Sequence, residues 1–460
     1  MSPRFFGTDG IRAAFGAYPL DEPTVRRLGR ALARALAAGG RHPGGGRAHV
    51  VLGGDTREST PVLCRWLAAG LAAAGGDARV TYLGTVPTPA VAWAVRTLGA
   101  DCGAVVSASH NPYPDNGVKL FGGDGFKWPP RAEAELEAVL ETETLETETD
   151  AAPAVEPELR VDAGLVRDYL GALAAVLGTQ ARPLAGLAVA ADAGNGAVSP
   201  YVEVLLASLG ARVTVIHAAP DGRNVNAGCG STHPREIAAL TRSSGSDLGF
   251  SFDGDADRVI LADERGEIHD GDAILYLWAR DLAGRDALPG RRIVATSMSN
   301  LGLEAALARH GIEVVRCDVG DRAVVETMRR LGVVLGGEQS GHVVHLGLGT
   351  TGDGLLTALV MAQLRLRAGR PLSQLAAGLE RFPQLIRNVR VREKVPFERL
   401  PRILESRDRV ARGLGRSGRL VLRYSGTEPL ARIMIEGRER ARIETLAEEL
   451  AAVIREEIGA

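Results

Sequence analysis

Lysine is nearly absent from this sequence of 460 residues, which contains three lysines and 51 arginines. The 54 basic side chains are nearly balanced by 56 acidic ones, and the formal net charge is −2. This balance argues against a generally cationic nucleic-acid binder and against a disordered acidic chain. We therefore expect no nucleic-acid partner, and any anionic ligand must be bound by a local cluster of charges.

Cysteine is also scarce, and long apolar runs are lacking. The four cysteines, Cys64, Cys102, Cys229 and Cys317, form no C-x-x-C pair and are too few for a disulfide framework. No uninterrupted apolar run reaches about 18 residues, and residues 1–10 contain no apolar signal segment. We expect a cytoplasmic protein that is neither secreted nor associated with a membrane.

The length predicts several domains, because single cores stop growing near about 250–300 residues. Short β-rich runs alternate with amphipathic stretches, and a strand, a helix and a second strand recur three times. This rhythm predicts three related α/β units with helices on the faces of a sheet. The predicted units are Ala48–Leu52, Pro61–Ala74 and Ala78–Leu83; Leu187–Ala191, Tyr201–Leu209 and Arg212–Ile216; and Arg292–Ala295, Leu303–His310 and Glu313–Arg316.

Two segments depart from this rhythm. Ala132–Leu140 reads as a surface helix, and the acidic stretch Glu141–Glu156 reads as a linker. From Pro371 onward we predict a smaller α+β unit. Its predicted strands are Ile386–Val391, Arg419–Tyr424 and Arg432–Ile435, followed by a helix at Arg440–Ile454.

The segment Ser107–Pro112 follows the apolar run Cys102–Val106, so Ser109 is predicted just beyond the end of a strand. Ligands bind at that edge in open α/β sheets. Small neighbours would leave the hydroxyl of Ser109 open to an incoming group, as a nucleophilic or phosphorylated serine requires. The alternative is an ordinary turn in which the backbone satisfies His110.

Three carboxylates follow another predicted strand, Leu248–Phe252. Asp253, Asp255 and Asp257 alternate with small residues, and Arg258 adds a cation at the rim. Carboxylates this close repel one another unless a cation neutralises them. Oxygen ligands without a nearby His or Cys select Mg²⁺ or Ca²⁺ over zinc.

Two further loops carry polar chemistry. Glu338, Ser340 and His342 lie within five residues and can pair with sugar hydroxyls or an amine, although a capped turn is the alternative. The second loop combines hydroxyls, a glycine and two guanidinium groups, the chemistry of a phosphate clamp. Its members are Arg423, Ser425, Gly426, Thr427 and Arg432.

Together and in this order, the loops resemble the α-D-phosphohexomutase superfamily over nearly the whole chain. The resemblance implies three α/β domains with mixed sheets flanked by helices plus a smaller C-terminal α+β domain, around a central cleft. The implied domains are residues 1–156, 157–258, 259–370 and 371–460. Gln339, the run Asn226–His233 and the run Thr350–Gly354 resemble the branch that acts on amino-sugar phosphates.

The resemblance also implies roles for individual residues. Ser109 would work as phosphoserine and would hold Mg²⁺ together with Asp253, Asp255 and Asp257. Lys119 is the expected general acid or base, with His342 as the alternative, and Arg258 would assist. The expected substrate-binding residues are Arg12, Asp321, Arg322, Glu338, Ser340, Arg423, Ser425, Gly426, Thr427 and Arg432.

The activity so implied is a phosphoryl exchange. Phospho-Ser109 would phosphorylate the 1-OH of glucosamine 6-phosphate, and the 1,6-bisphosphate would turn over and return its 6-phosphate to the serine. A sugar 1,6-bisphosphate is the expected activator, and a homodimer is compatible with the resemblance. The alternatives are a mutase for neutral hexose phosphates, a phosphatase that uses Asp253 and Asp255, and a non-catalytic sugar-phosphate binder.

Overall fold

The computed structural model describes residues 5–7, 9–38, 47–74, 78–142, 157–415, 418–425 and 429–460. The chain divides into two compact units. The first unit comprises residues 1–298 and 315–376, and the second comprises residues 299–314 and 377–460. The predicted acidic linker lies outside the described residues from residue 143 onward.

The first sheet of the first unit has five strands, and their bounds are β1 (Ile11–Ala14), β2 (His49–Gly54), β3 (Arg79–Thr85), β4 (Cys102–Val106) and β5 (Asp115–Gly122). They lie in the order β1-β5-β4-β2-β3, with β2, β3 and β4 parallel and with β1 and β5 in antiparallel pairs. All six residues of β2 are buried, as expected for a parallel strand covered on both faces. The accompanying helices are α1 (Glu22–Ala38), α2 (Thr60–Ala73), α3 (Thr88–Leu98) and α4 (Pro130–Thr142).

Helices α1 and α2 approach each other so closely that only glycine fits at the contact. A Cβ atom at Gly70 would lie 2.0 Å from the carbonyl oxygen of Arg26. A Cβ atom at Gly29 would lie 2.3 Å from the carbonyl oxygen of Leu67. The two backbones therefore touch directly, and Leu28, Leu32, Leu63 and Leu67 pack into the core around them.

The second sheet has the order β10-β9-β8-β6-β7. Strands β6, β7 and β8 are parallel, so their carboxyl ends meet at one edge. The strands are β6 (Ala188–Asp192), β7 (Arg212–Ile216), β8 (Leu248–Phe252), β9 (Val259–Asp263) and β10 (Ile268–His269), and the helices are α5 (Ala163–Ala175), α6 (Val202–Ser208) and α7 (Arg235–Ser243).

The third sheet has the order β12-β11-β13-β14, and the boundary between the two units falls within β12. Its strands are β11 (Arg292–Thr296), β12 (Glu313–Cys317), β13 (Leu335–Gly337) and β14 (Val343–His345). The helices in this part of the chain are α8 (Gly271–Gly284), α9 (Leu301–Ala308), α10 (Asp321–Leu331), α11 (Gly354–Ala368) and α12 (Leu372–Ala376), of which α9 belongs to the second unit.

The second unit is built on a three-stranded antiparallel sheet with the order β15-β17-β16. Its elements are β15 (Gln384–Arg390), α13 (Pro401–Leu414), β16 (Gly418–Tyr424), β17 (Leu430–Gly437) and α14 (Arg440–Ile458). Ile433 and Ile435 of β17 pack with Leu450 and Ile454 of α14 in a core of its own.

The predicted fold class is confirmed, because three mixed sheets flanked by helices precede a smaller α+β unit. None of the described helices is both long and apolar enough to cross a membrane.

Candidate active site

Ser109 lies three residues beyond β4, as the sequence predicts. Its backbone φ is +53°, in the left-handed region that non-glycine residues seldom adopt outside functional sites. Its amide donates to Oγ of Ser107 over 2.9 Å, and its own Oγ donates to Oδ2 of Asp253 over 2.7 Å. The expectation of an open hydroxyl is wrong for this conformation, since Ser109 is fully buried. Instead of facing solvent, the hydroxyl of Ser109 donates its hydrogen bond to the carboxylate of Asp253.

Arg57, which is fully buried, holds the loop that carries Ser109 in place. The Arg57 guanidinium donates to the carbonyl oxygens of Ser109, Asn111 and Pro112 over 3.0, 2.8 and 2.5 Å. Asp55, just beyond β2, pairs with Arg57 over 2.9 Å. Three backbone carbonyls are thus fixed by one planar donor whose charge is balanced next to it.

The second sheet contributes two further contacts to the same loop. Nδ2 of Asn226 donates to the carbonyl oxygen of Ser109 over 2.9 Å. Gly254 approaches that carbonyl so closely that a Cβ atom there would lie 2.6 Å from it. The loops after β4 and β8 are therefore in direct backbone contact, which places Ser109 beside the three aspartates.

Asp253, Asp255 and Asp257 converge as predicted. All three are buried, and one oxygen from each lies within 4.8 Å of the others. The loop turns tightly through Ala256, which has a φ of +55°. Oδ1 of Asp255 and Oδ1 of Asp257 are buried and accept no hydrogen bond within the described parts of the chain. An all-oxygen set with such oxygens fits a hard divalent cation.

The three aspartates are close enough to change one another's pKa. Burial raises the pKa of Asp253, and the carboxylates of Asp257 and Asp255 raise it further, well above its ordinary range. Burial also acts to raise the pKa of Asp257, but the ammonium group of Lys119 lowers it well below its ordinary range. Ionisation of all three carboxyl groups at once is therefore unfavourable without a further cation.

Lys119 lies at the centre of three carboxylates. Its Nζ is 2.8 Å from Oδ2 of Asp255, 3.3 Å from Asp9 and 3.6 Å from Asp257. Burial acts to lower the pKa of Lys119, but these carboxylates raise it well above its ordinary value. Lys119 is therefore protonated in this arrangement, and its role as general acid or base stays a prediction.

A chain of ion pairs continues from Lys119 away from the aspartates. Asp9 also contacts Lys127 and Arg12, and Lys127 contacts Asp321 at the start of α10. Burial acts to raise the pKa of Asp9, but Lys119, Lys127 and Arg12 together lower it far below its ordinary value. Two of the three lysines thus lie in one buried, alternating row of charges.

The other residues predicted to contact the sugar lie around this row. Arg322 donates to Oε1 of Glu133 over 2.5 Å. Oε1 of Glu338, which follows β13, accepts the amide of Gly320 over 3.0 Å. Ser340 in the same loop is exposed, and its Oγ lies 3.5 Å from Oε2 of Glu338. Sugar binding by Arg12, Asp321, Arg322, Glu338 and Ser340 stays a prediction.

His342 and Arg258 orient other groups of the site. Nε2 of His342 accepts the amide of Gly352 over 3.1 Å, and its Nδ1 faces Oδ2 of Asp257 at 3.6 Å. Arg258 donates from Nη1 to Nδ1 of His110 over 3.1 Å. Burial lowers the pKa of His110, and Arg258 lowers it further. The alternative in which the backbone satisfies His110 is therefore wrong, since a guanidinium does so.

The predicted phosphate clamp belongs to the second unit. Arg423 on β16 is directly opposite Arg432 on β17 in the antiparallel register. Ser425 is buried, and its amide donates to the carbonyl of Leu430 over 2.8 Å. Gly426 and Thr427 lie outside the described residues. Like charges directly opposite each other on a sheet are unfavourable, so this pair is a suitable site for an anion.

Sequence reasoning missed Asp55, Arg57, Asn226 and Lys127. Asp55 and Arg57 follow the Gly53-Gly54 end of a predicted strand, the same edge that singled out Ser109. Lys127 could have been found from the scarcity of lysine alone. Apart from the pair of Asp55 and Arg57, the contacts that place these residues in the site join positions more than fifty apart in the sequence, so no local spacing reveals them.

Sequence profiles of four phosphoglucomutase/phosphomannomutase domains match the chain in order. Alpha/beta/alpha domains I, II and III match residues 3–147, 167–266 and 270–382, and the C-terminal domain matches residues 387–453. The chain belongs to this family of phosphohexomutases. The resemblance noted in the sequence is thereby confirmed.

Curated relatives in this family extend over the full length of the chain. A phosphoglucosamine mutase of Symbiobacterium thermophilum is 45% identical over 99% of this chain and 100% of its own length. A phosphoglucosamine mutase of Anaeromyxobacter dehalogenans is 43% identical, with 100% of both chains covered.

Solved structures share the fold of this phosphohexomutase. A phosphoglucomutase/phosphomannomutase family protein of Burkholderia thailandensis has a TM-score of 0.79 at 24% identity, with 99% of each chain covered. An N-acetylphosphoglucosamine mutase of Aspergillus fumigatus, solved with GlcNAc-6P and magnesium, has a TM-score of 0.62 at 18% identity, with 99% of this chain and 96% of that chain covered.

Proposed function

We propose that this protein is a phosphoglucosamine mutase that interconverts glucosamine 6-phosphate and glucosamine 1-phosphate through phospho-Ser109. The observation that carries the proposal is the 2.7 Å hydrogen bond between Ser109 Oγ and Asp253, within a cluster of three buried aspartates. A hydroxyl beside a metal-binding carboxylate set is suited to accept and donate a phosphoryl group. The full-length relatives named phosphoglucosamine mutase support glucosamine phosphate as the substrate.

Asp253, Asp255 and Asp257 would hold Mg²⁺, which neutralises charge on the transferred phosphoryl group when it is bound. Ser109 is the acceptor and donor of that group. Arg57 and Asn226 fix its backbone, so little reorganisation is needed when the hydroxyl exchanges its carboxylate partner for a phosphoryl group.

The proton of the sugar hydroxyl needs an acceptor close to Ser109. Lys119 remains our choice, because it lies 2.8 Å from Asp255, within the same cluster as Ser109 and Asp253. It is protonated in this arrangement, and a cation held by the aspartates would lower its pKa and free its amine to accept the proton. His342 is disfavoured, since Gly352 and Asp257 face both of its ring nitrogens. His342 and Arg258 instead position Asp257 and His110.

The phosphate that is not being transferred would bind Arg423, Ser425, Gly426, Thr427 and Arg432, and Arg12, Asp321, Arg322, Glu338 and Ser340 would contact the sugar. The intermediate carries phosphate at both ends, so one clamp must accept it in either orientation. Paired guanidinium groups suit this task, because they recognise the dianion rather than the sugar around it.

Phosphorylation of Ser109 is tested by Ser109→Ala, with Ser243→Ala on the exposed end of α7 as the control. We expect Ser109→Ala to fold, to show no phosphoserine by mass spectrometry and to lose turnover. Ser243→Ala should retain both. Full activity of Ser109→Ala would overturn the mechanism.

The choice of substrate is tested by the ratio of kcat/KM for glucosamine 6-phosphate to those for glucose 6-phosphate and mannose 6-phosphate. We expect the amino sugar to be preferred. A preference for the neutral sugars would instead identify a phosphoglucomutase or phosphomannomutase, and release of phosphate without isomerisation would identify a phosphatase.

We further propose that the enzyme is cytoplasmic, that a sugar 1,6-bisphosphate activates it by phosphorylating Ser109, and that it forms a homodimer. Its product would then supply the synthesis of UDP-N-acetylglucosamine. We expect no nucleic-acid or membrane partner for an enzyme of this kind.

A further inference from the structure

A second group of metal-ligating side chains lies at the same sheet edge as the three aspartates, at the ends of the neighbouring strands β6 and β7. Asp192 is the last residue of β6, His217 directly follows β7, and Cys229 lies in the loop beyond. A possible ligand atom from each lies within 4.8 Å of the other two. Asp192 and Cys229 are buried, whereas the side chain of His217 is 33% exposed.

We propose that Asp192, His217 and Cys229 form a second metal site, which binds a thiophilic divalent cation such as Zn²⁺ and is distinct from the Mg²⁺ site. A thiolate, an imidazole and a carboxylate are the ligands that zinc prefers, whereas Mg²⁺ prefers oxygen alone. Three protein ligands leave one coordination position for water.

The distances between the ligand atoms suit such a cation. Bond lengths of about 2.0 Å to nitrogen and about 2.3 Å to sulfur in a tetrahedral site separate two ligand atoms by about 3.5 Å. The observed separations of at most 4.8 Å therefore need a contraction of at most about 1.3 Å. The partly exposed ring of His217 provides a path from solvent.

The surroundings hold the carboxylate in place. Asp192 accepts the amides of Gly194 and Gly230 over 2.9 and 2.8 Å, and its Oδ1 pairs with Nδ1 of His217 over 3.0 Å. Within the described residues, His217 makes its hydrogen bond through Nδ1, and Nδ2 of Asn195 lies 3.8 Å from the Cys229 sulfur. The imidazole and the thiol thus retain capacity to bind a cation.

Cation binding requires the thiolate form of Cys229, so the S–H bond breaks and the proton passes to solvent as the metal–sulfur bond forms. Because one proton is released, affinity for the cation should rise about tenfold for each pH unit near neutrality.

The site is close enough to the Ser109 loop to affect it. Asn226, which donates to the carbonyl of Ser109, is three residues before Cys229 in the same loop. The amide of Ser231 donates to the carbonyl of Phe252 over 2.9 Å, and Asp253 is the next residue. A cation bound by Cys229 would therefore be held by a loop that also contacts Ser109 and the strand end before the three aspartates.

The test is a titration of the full-length, Mg²⁺-saturated protein with Co²⁺, followed by displacement with Zn²⁺. Co²⁺ bound to a thiolate shows a charge-transfer band in the near ultraviolet, and Co²⁺ bound only to oxygen does not. We expect one equivalent of Co²⁺ to produce the band and Zn²⁺ to abolish it. The midpoint of the Co²⁺ titration should move to lower Co²⁺ concentration as the pH rises.

Two variants decide the assignment. Cys229→Ser removes the thiol, and His217→Asn removes the imidazole while keeping a residue that tolerates the φ of +49° at this position. Both should lose the band, and Cys317→Ser, which removes a half-buried thiol elsewhere, should keep it. If Cys229→Ser does not fold, His217→Asn alone decides. The proposal is overturned if the wild-type protein shows no band or if the band survives in His217→Asn.

Discussion

Arg57 shows how much a single side chain contributes to the position of the reacting serine. Its guanidinium joins three carbonyl oxygens of the Ser109 loop to the carboxylate of Asp55, and both charges are completely buried. A buried pair of this kind adds little net stability by itself, but the loss of one partner leaves the other charge uncompensated.

We expect Arg57→Met to lower the free energy of unfolding by about 3–5 kcal/mol, since Asp55 would remain buried without its cation. Arg131→Met is the control, because the Arg131 side chain is 90% exposed and pairs with Glu135 on the surface of α4. The loss of that pair should hardly change stability, because solvent screens it. Urea denaturation of both variants measures the difference, and equal losses would contradict the role of burial.

Asp353 gives a prediction of pH dependence. It caps the N-terminus of α11 and accepts the hydroxyl of Tyr169, and burial raises its pKa from 3.8 to about 6. Because the folded state holds this proton more tightly than the unfolded state, the group stabilises the fold below pH 4. That contribution is lost as the pH rises to 6, by about 1.4 kcal/mol per unit.

Asp353→Asn should remove this dependence. We expect the variant to gain about 3 kcal/mol relative to wild type between about pH 4 and about pH 6.5, as measured by urea unfolding. Asn300→Ala provides the comparison, since it removes the cap of α9 without removing a titrating group. A difference between Asp353→Asn and wild type that does not change with pH would refute the assignment.

For single residues, the sequence predicts those features of the site that depend on neighbours close along the chain. Ser109 and the three aspartates could be predicted because each follows an apolar strand at the sheet edge where ligands bind. The burial of the Ser109 hydroxyl could not, since it depends on Asp253, 144 positions away.

The positions of the secondary-structure elements depend on the periodicity of their side chains and, where two helices touch, on direct backbone contact. The apolar runs predicted β4, β7 and β8 at their observed bounds. The antiparallel strands β5, β9 and β14 were not predicted. β5 contains polar residues and glycine, whereas β9 and β14 are short and mainly apolar. Each follows a loop of the candidate site and pairs with the strand before that loop.

The contact between α1 and α2 is an element-scale prediction. We expect Gly70→Ala to destabilise the protein by about 1–3 kcal/mol, since the new methyl group would push the two helices apart. Gly171→Ala in α5 is the matched control, because a Cβ atom there meets nothing within 4 Å. It should stabilise by about 0.5–1 kcal/mol. Thermal denaturation of both tests the contrast in sign, and a stabilising Gly70→Ala would show that the helices can separate without cost.

Across the first unit as a whole, the edges of two sheets meet at one cluster of charge. Ser109 comes from the first sheet and the three aspartates from the second, and Lys119 joins them through Asp255. A divalent cation there would relieve repulsion that otherwise opposes the contact between the sheets. The mixed sheets and the smaller α+β part could be predicted from the family resemblance of the motifs in their order, whereas this balance of charges requires the folded chain.

We expect Mg²⁺ to raise the stability of the protein by about 2.7 kcal/mol at a hundredfold excess over its Kd, and EDTA to abolish both this gain and turnover. Asp253→Asn should raise the stability of the metal-free protein, because the folded state disfavours the ionised form of Asp253, and should remove most of the gain from Mg²⁺. Asp408→Asn on the surface of α13 is the control. Thermal scans with and without Mg²⁺ measure both effects, and an unchanged Mg²⁺ response in Asp253→Asn would refute the metal assignment.

The burial of two lysines in the row of ion pairs has a practical consequence. Lys119 is enclosed and Lys127 is only 10% exposed, whereas Lys394 in the second unit is exposed. An amine-reactive dye should therefore couple to Lys394 far faster than to Lys119 or Lys127. The native protein can thus be labelled or tethered at Lys394 without engineering.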